Sequence, residues 1–446
     1  MGAVVRLRRA AQAAEESSAL DPTAAEVAGT AEAAERDQRP VVPTVEPAFV
    51  PASTVRRRAR WASIPYRLYW AHVAGLFGLA LSNSLLGLAV LASPLSRQWH
   101  RLRDRAVWPL LVAVAAYVAL LGLSIVASFD PARSARSSSE LFSLCTLVLG
   151  LVLLRDERAV RRIVDAVLLL ATAESLYGLV QLAAAGGPNL DRRIQGSLSH
   201  YMTFSGILLV ADVLLLARLF ARGREAGWRA WALVPINAAL IATLTRSAWV
   251  GLGVGMLVLL LLSRRRLLLW WLPVGLLALL VLPSAVLERA ASIVDPDDWT
   301  NFDRVCMARA GWSMIRERPL LGQGPDMVEV RYPLYRLPEA PRREVPHLHD
   351  AFLHVAAERG VPAMIALLAL LGIPAARALA AYRREGWRAG PRADLWLGTI
   401  GAVVAFSVAG LFENNWGDVE VQRLVLVLLA VPYGLPAADD GQALDT

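Results

Sequence analysis

Between Trp231 and Leu262 the chain runs for 32 residues with a single charged side chain, Arg246, at its centre. As one helix this run would measure roughly 48 Å at about 1.5 Å per residue, against a hydrocarbon core of about 30 Å. A guanidinium at mid-membrane would also cost at least ~2.5–3.5 kcal/mol. A hairpin with Arg246 at its outer tip removes both objections. It also leaves Arg264, Arg265 and Arg266 on the cytoplasmic side, where basic loops collect.

The same pattern organises most of the chain. Hydrophobic residues make up 56% of it, and the charged 19% gather between apolar runs instead of interrupting them. This is the signature of an all-α polytopic membrane protein. Leu68 to Leu95 has arginines on both flanks, Arg56, Arg57, Arg58 and Arg60 before it and Arg97, Arg101, Arg103 and Arg105 after it. Small and polar residues (Gly75, Gly78, Ser82, Asn83, Ser84, Gly87) divide it, so two short helices joined near Asn83 are expected. Further spans are read at Val107–Ser128, Leu141–Leu154, Ile163–Ala185, Tyr201–Ala221, Leu267–Val286, Val361–Ala381, Leu395–Phe412 and Val421–Tyr433. With the hairpin the total is about twelve, both termini lie inside, and every strongly basic connection falls on one side. The expected organisation is a disordered cytoplasmic tail at 1–62, nine helices over 63–286 and a large periplasmic loop with short helices at 287–350. Three helices follow over 351–434, then a cytoplasmic tail at 435–446.

Composition excludes several functions. All 46 basic side chains are Arg and none is Lys, so neither a Schiff base nor a Walker lysine is available. Two cysteines, Cys145 and Cys306, make neither a disulfide framework nor a zinc knuckle. The net charge of +8 is accounted for by membrane orientation, and nucleic acid is not an expected partner. Glu174 and Asp212 fall inside spans, where ionisable groups are functional suspects. A secondary transporter or lipid-linked glycan flippase would use them for coupling; pairing with Arg or Ser groups in the bundle is the favoured reading. Trp228, Trp231, Trp270, Trp271, Trp387 and Trp396 flank spans as interfacial anchors. Gly251, Gly253 and Gly255 read as a close helix-packing face.

The outer loop carries the chemistry. Arg304–Arg318 reads as a helix with Val305, Ala308, Trp312 and Ile315 on its apolar face, stopped by Pro319. A glycine turn with Gly322 and Gly324 follows, and three of the six histidines, His347, His349 and His354, then lie within eight positions. A His-x-His pair with few nearby acids and no CxxC partner is weak evidence for metal, and none is expected. General-base chemistry suits it better, because imidazole titrates near the operating pH.

The run His347-Leu348-His349-Asp350-Ala351-Phe352-Leu353, followed by Glu358-Arg359-Gly360, resembles a signature of the O-antigen ligase and polymerase superfamily. Trp312 to Ile315 with Pro319-Leu320-Leu321-Gly322-Gln323-Gly324, Thr245-Arg246-Ser247-Ala248-Trp249, and Arg193 through Gly196 to His200 are similar to three further elements of that family, in the same order. Asp350 stands where the family usually has Asn. The resemblance implies a GT-C-like bundle in the bacterial inner membrane with its active site facing the periplasm. It implies transfer of a glycan from undecaprenyl diphosphate to an acceptor hydroxyl, on lipid A–core sugar for a ligase or on another repeat unit for a polymerase. No cofactor is implied; the partners are the lipid-linked donor, the glycan acceptor and membrane lipids. Arg193, Arg246 and Arg304 would grip the diphosphate bidentately. His349, with His347 next in line, would be the base of an inverting, metal-independent displacement. Asp350 or Glu358 would orient the imidazole, and His200, Gly322 and Gly324 would support the site. The ligase reading leads.

Overall fold

A computed structural model describes residues 61–435, apart from 224–226, 228, 281, 296, 388 and 389. Nearly all of both expected tails, and the expected anchor Trp228, lie outside the described residues. The described residues form helices and no strand. In chain order the helices are α1 (Ile64–Ala74), α2 (Leu79–Ala92), α3 (Trp108–Val126), α4 (Pro131–Ser137), α5 (Glu140–Leu153) and α6 (Glu157–Ala184). Next come α7 (Tyr201–Arg222), α8 (Arg229–Ala242), α9 (Arg246–Ser263), α10 (Leu268–Leu279), α11 (Ser284–Ala291) and α12 (Trp299–Glu317). The last are α13 (Met327–Tyr335), α14 (Ala351–Arg359), α15 (Val361–Arg384), α16 (Ala393–Gly410) and α17 (Val419–Ala430).

Among the described residues eight helices are long and apolar enough to cross a membrane, not twelve. The difference lies in α1, α8, α10 and α17, which hold 11, 14, 12 and 12 residues. At about 1.5 Å per residue they reach roughly 17–21 Å, short of the hydrocarbon thickness. The expected break in the first apolar stretch exists, but it falls at Gly75–Gly78, and Asn83 sits inside α2. The Trp231–Leu262 run divides as expected. Thr243 to Thr245 separate α8 from α9, Leu244 turns the chain with φ 54°, and Arg246 is the first residue of α9.

Helices α7, α9 and α16 pack on one another at the centre. A Cβ on Gly251 would lie 2.6 Å from the Ala405 carbonyl oxygen, and one on Gly255 would lie 2.9 Å from Ala405 Cβ. Those two glycines therefore let α9 close on α16, whereas Gly253 faces open space. Trp396, expected as an anchor, is buried, while Trp231, Trp270 and Trp387 are exposed. The helices are tied together at the end remote from Arg246. There Arg161, Arg218 and Arg222 converge on buried Asp394 at 2.9, 3.3 and 3.1 Å. Asp212 accepts from Asn237, and Glu174 accepts from the backbone and hydroxyl of Ser197. Only the second matches the expected Arg or Ser pairing.

The segment after α10 builds a second, smaller core of its own from Met307, Met314, Val328, Tyr332, Val345 and Leu348. Helix α12 spans the expected region but turns another face inward. Met307, Ala310, Gly311 and Met314 are buried together with the expected Ile315, while Val305, Ala308 and Trp312 are exposed. Of the four apolar residues expected from spacing, Ile315 joins the buried set and the other three lie on the opposite face. The glycine turn then locks onto the end of α14, with Gln323 N–H donating to the Ala357 carbonyl and Gly324 N–H to the Glu358 carbonyl. A Cβ on Gly322 would stand 2.3 Å from the Glu358 carbonyl carbon, and one on Gly360 would stand 2.1 Å from the Leu320 oxygen. Both glycines also have positive φ, 65° and 87°. Gly360→Ala therefore faces strain of order 1–3 kcal/mol before the backbone clash is counted. The expected result is a thermal midpoint many degrees lower in detergent, and an unchanged midpoint would show that this contact yields.

Candidate active site

Leu348 is buried in the small core, filling space that Gly311 leaves open; a Cβ there would lie 2.6 Å from Leu348 Cδ1. With Leu348 anchored inward, its neighbours His347 and His349 are partly exposed and lie edge to face, 4.3 Å between ring centroids. His349 holds φ 52°, a left-handed conformation that a non-glycine residue adopts only when its surroundings enforce it. This places His349 Nδ1 3.0 and 3.1 Å from the two carboxylate oxygens of Glu413.

Glu413 comes from the turn after α16 and is buried. Burial alone would raise its pKa, but His349, His347 and Arg304 hold it below the ordinary carboxylate value. An ionised Glu413 makes Nδ1 the protonated nitrogen of His349, which leaves the lone pair on Nε2. Among the described residues no hydrogen bond engages that Nε2. His347 Nδ1 stands 3.9 Å from Glu413, and burial pushes its pKa down to about 4, so it is neutral near pH 7. The expected orienting acids do not reach His349. Asp350 instead caps α14, its carboxylate accepting from Phe352 and Leu353 N–H. Glu358 lies against His354 at 3.4 Å and Arg359 at 3.3 Å. His347, His349 and Glu413 could also hold a divalent ion, since their ligand atoms lie within 4.8 Å of one another. The premise that few acids stand near the histidines fails, because Glu413 arrives from 64 residues away.

Arg304 Nη2 stands 3.9 Å from Glu413 and, with Arg246, lines a cavity of about 380 Å³. Val250, Ile293, Val294, Val305 and Phe412 give the same cavity an apolar wall. Arg246 is nearly buried and already committed in part. Its Nη1 donates to the Ser292 carbonyl and hydroxyl at 2.6 and 2.9 Å, its Nη2 to Thr300 Oγ1 at 2.6 Å, and Asp298 lies 3.5 Å away. It therefore pins the chain between α11 and α12 as well as lining the cavity. A fourth cation, unsuspected from sequence, is Arg289, whose Nε donates to the Leu244 carbonyl. Burial, then the charges of Arg246, Arg193 and Arg304, push its pKa down to about 10. Arg289 thus feels three other guanidinium groups, and the four stand among three carboxylates, Asp295, Asp298 and Glu413, leaving a net positive focus suited to an anion. Arg193 sits at the edge of this group, stacked 4.4 Å over the Tyr201 ring. His200 caps α7 through Met202 N–H and feels both Glu413 and Arg193. Gly322 and Gly324 serve the site indirectly, by docking the glycine turn on the end of α14.

Comparison with known proteins bears on residues 230–368, which match a family described as O-Antigen ligase. The matched segment contains Arg246, Arg289, Arg304, both site histidines and the glycine turn, but neither Arg193 nor Glu413. No curated protein matches the chain. Residues 230–368 thus form an O-antigen ligase family domain, and with the eight membrane-length apolar helices they mark a multi-pass, glycosyltransferase-like membrane protein.

Proposed function

We propose that the protein is an O-antigen ligase, moving a glycan from undecaprenyl diphosphate to a sugar hydroxyl on lipid A–core at the periplasmic face. The observation that carries this reading is the ionised Glu413 holding the His349 imidazole beside a cavity lined by Arg246, Arg304 and apolar side chains. A polyprenyl diphosphate has that same division. The arginines take the diphosphate through charge-assisted hydrogen bonds of about 1.5–3 kcal/mol each, and the apolar wall takes the first units of the lipid. His349 Nε2 accepts the acceptor hydroxyl proton while that oxygen bonds to the anomeric carbon from the face opposite the diphosphate. The bond from the anomeric carbon to the diphosphate oxygen breaks, its electron pair leaves on the diphosphate, and the configuration inverts. Glu413 stabilises the imidazolium that forms. The diphosphate is a stable anion, so the residues need to hold negative charge more than to supply a strong acid.

The test is reconstitution in vesicles with undecaprenyl-diphosphate glycan and lipid A–core. Transfer is expected with one undecaprenyl diphosphate released per glycan moved, an inverted linkage, and the same rate in EDTA. Loss of transfer on chelation would assign His347, His349 and Glu413 to a metal. In a deletion strain, loss of all capping supports the ligase, whereas a single repeat unit on the core identifies a polymerase.

A further inference from the structure

A second cavity, of about 190 Å³, shares no lining residue with the arginine cavity. Glu140, His354, Glu358, Arg359, Asn414 and Trp416 line it. Its position is set by the reacting groups. Asn414 N–H donates to Glu413 Oε1 at 3.1 Å, while the Asn414 side chain lines the cavity. The His354 ring lies 6.5 Å from that of His347. The His349–Glu413 pair is therefore linked to both cavities, Arg304 of the arginine cavity standing 3.9 Å from Glu413 Oε2 and the Asn414 backbone donating to Oε1.

The chemistry of the two cavities differs. In the arginine cavity cations outnumber acids. Here the charges are already spent on each other, Arg359 meeting Glu140 at 2.7 Å and Glu358 at 3.3 Å. What remains is hydrogen-bonding capacity at buried atoms. His354 is 8% exposed and its Nδ1 has no hydrogen-bond partner, and neither has Asn414 Oδ1. Trp416 gives its indole N–H to Tyr117 and Glu140, so it offers the cavity a ring. A buried polar group left without a partner costs about 1–3 kcal/mol, and a neutral polyhydroxyl recovers that without disturbing the ion pairs. The volume is below that of cavities for drug-sized ligands and matches a single sugar ring.

We propose that this cavity is the acceptor subsite: it takes the terminal sugar ring of the acceptor, bound through hydroxyls to His354 and Asn414, and presents one further hydroxyl to His349. The assignment rests on the glycan-transfer reading and adds to it that donor and acceptor approach Glu413 from separate cavities. It also explains why Glu358 and His354 are buried without touching the reacting pair. Burial pushes the Glu358 carboxyl up to about 7 and holds the His354 imidazole down at about 3. His354 is then neutral and Glu358 faces Arg359 at 3.3 Å, so neither presents an unpaired charge to a neutral ring.

The experiment measures separate KM values for lipid-linked donor and for lipid A–core in reconstituted vesicles. Two variants are compared, Asn414→Ala, which removes a hydrogen-bonding group, and Ser139→Phe, which fills the cavity from its exposed rim. Each is expected to raise the acceptor KM tenfold or more while the donor KM stays within twofold. Acceptor KM values within twofold of the unmodified protein in both variants would overturn the assignment. So would equal rises in donor and acceptor KM in Asn414→Ala at an unchanged thermal midpoint. If Ser139→Phe does not fold, Asn414→Ala decides alone. Absence of transfer by the unmodified protein refutes the glycan-transfer reading itself, which is a different result from either of these.

Discussion

Replacing His349 by Asn is expected to lower glycan transfer by about 10²–10⁴-fold, the range lost when a positioned general base is removed. Asn is the better probe than Ala because His349 sits at φ 52°, a region Asn tolerates more readily than other non-glycine residues. The backbone should therefore hold, and the donor KM should change little while kcat collapses. Glu413→Gln is expected to cost at least 10²-fold by the same measurement, since an amide no longer stabilises an imidazolium 3.0 Å away. His347→Asn should cost far less, because a neutral ring contributes mainly packing against His349. If His349→Asn transfers at the unmodified rate with intact protein, the base assignment is wrong and His347 takes its place.

Arg304→Ala is expected to reduce kcat/KM for the lipid-linked donor by about 10- to 150-fold, the equivalent of one charge-assisted hydrogen bond of about 1.5–3 kcal/mol. Arg304→Lys should recover only part of this, because an ammonium lacks the planar fork that matches phosphate oxygens. Arg246→Ala should fall further. It removes a cation from the cavity and also frees Ser292 and Thr300, so the chain joining α11 to α12 loses its pin. Arg289→Ala tests the cation that electrostatics rather than motif brought to light. Donor kinetics in reconstituted vesicles, with thermal midpoints alongside, separate the binding loss from the structural one. Should Arg304→Ala and Arg289→Ala both leave donor kcat/KM unchanged, the diphosphate lies elsewhere.

The residues differ in how far they could be read without coordinates. Arg246 was legible because a charge between two apolar runs admits few placements, and the break at Thr243–Thr245 agrees with it. The span total was less so. Hydropathy marks apolar runs but not where a helix stops, and four of the runs become helices of 11 to 14 residues. Three of the four residues expected on the inner face of α12 lie outside, Ile315 being the exception, because the buried side of this helix is set by Leu348 and α14.

The order of basic clusters and apolar runs, the glycine turn and the His-Leu-His segment were settled by the chain alone. Local constraints suffice there: a guanidinium avoids hydrocarbon, a positive φ favours glycine, and an apolar residue between two histidines turns inward. The tertiary structure alone decided that Glu413 is the partner of His349 and that Asp350 and Glu358 are not. It also brought Arg289 into the cationic group and set a polar cavity beside Asn414, next to Glu413. A carboxylate 64 residues from the imidazole it orients leaves no periodic or local trace, because the distance between them is fixed by how α14 and α16 pack and by nothing either segment carries itself.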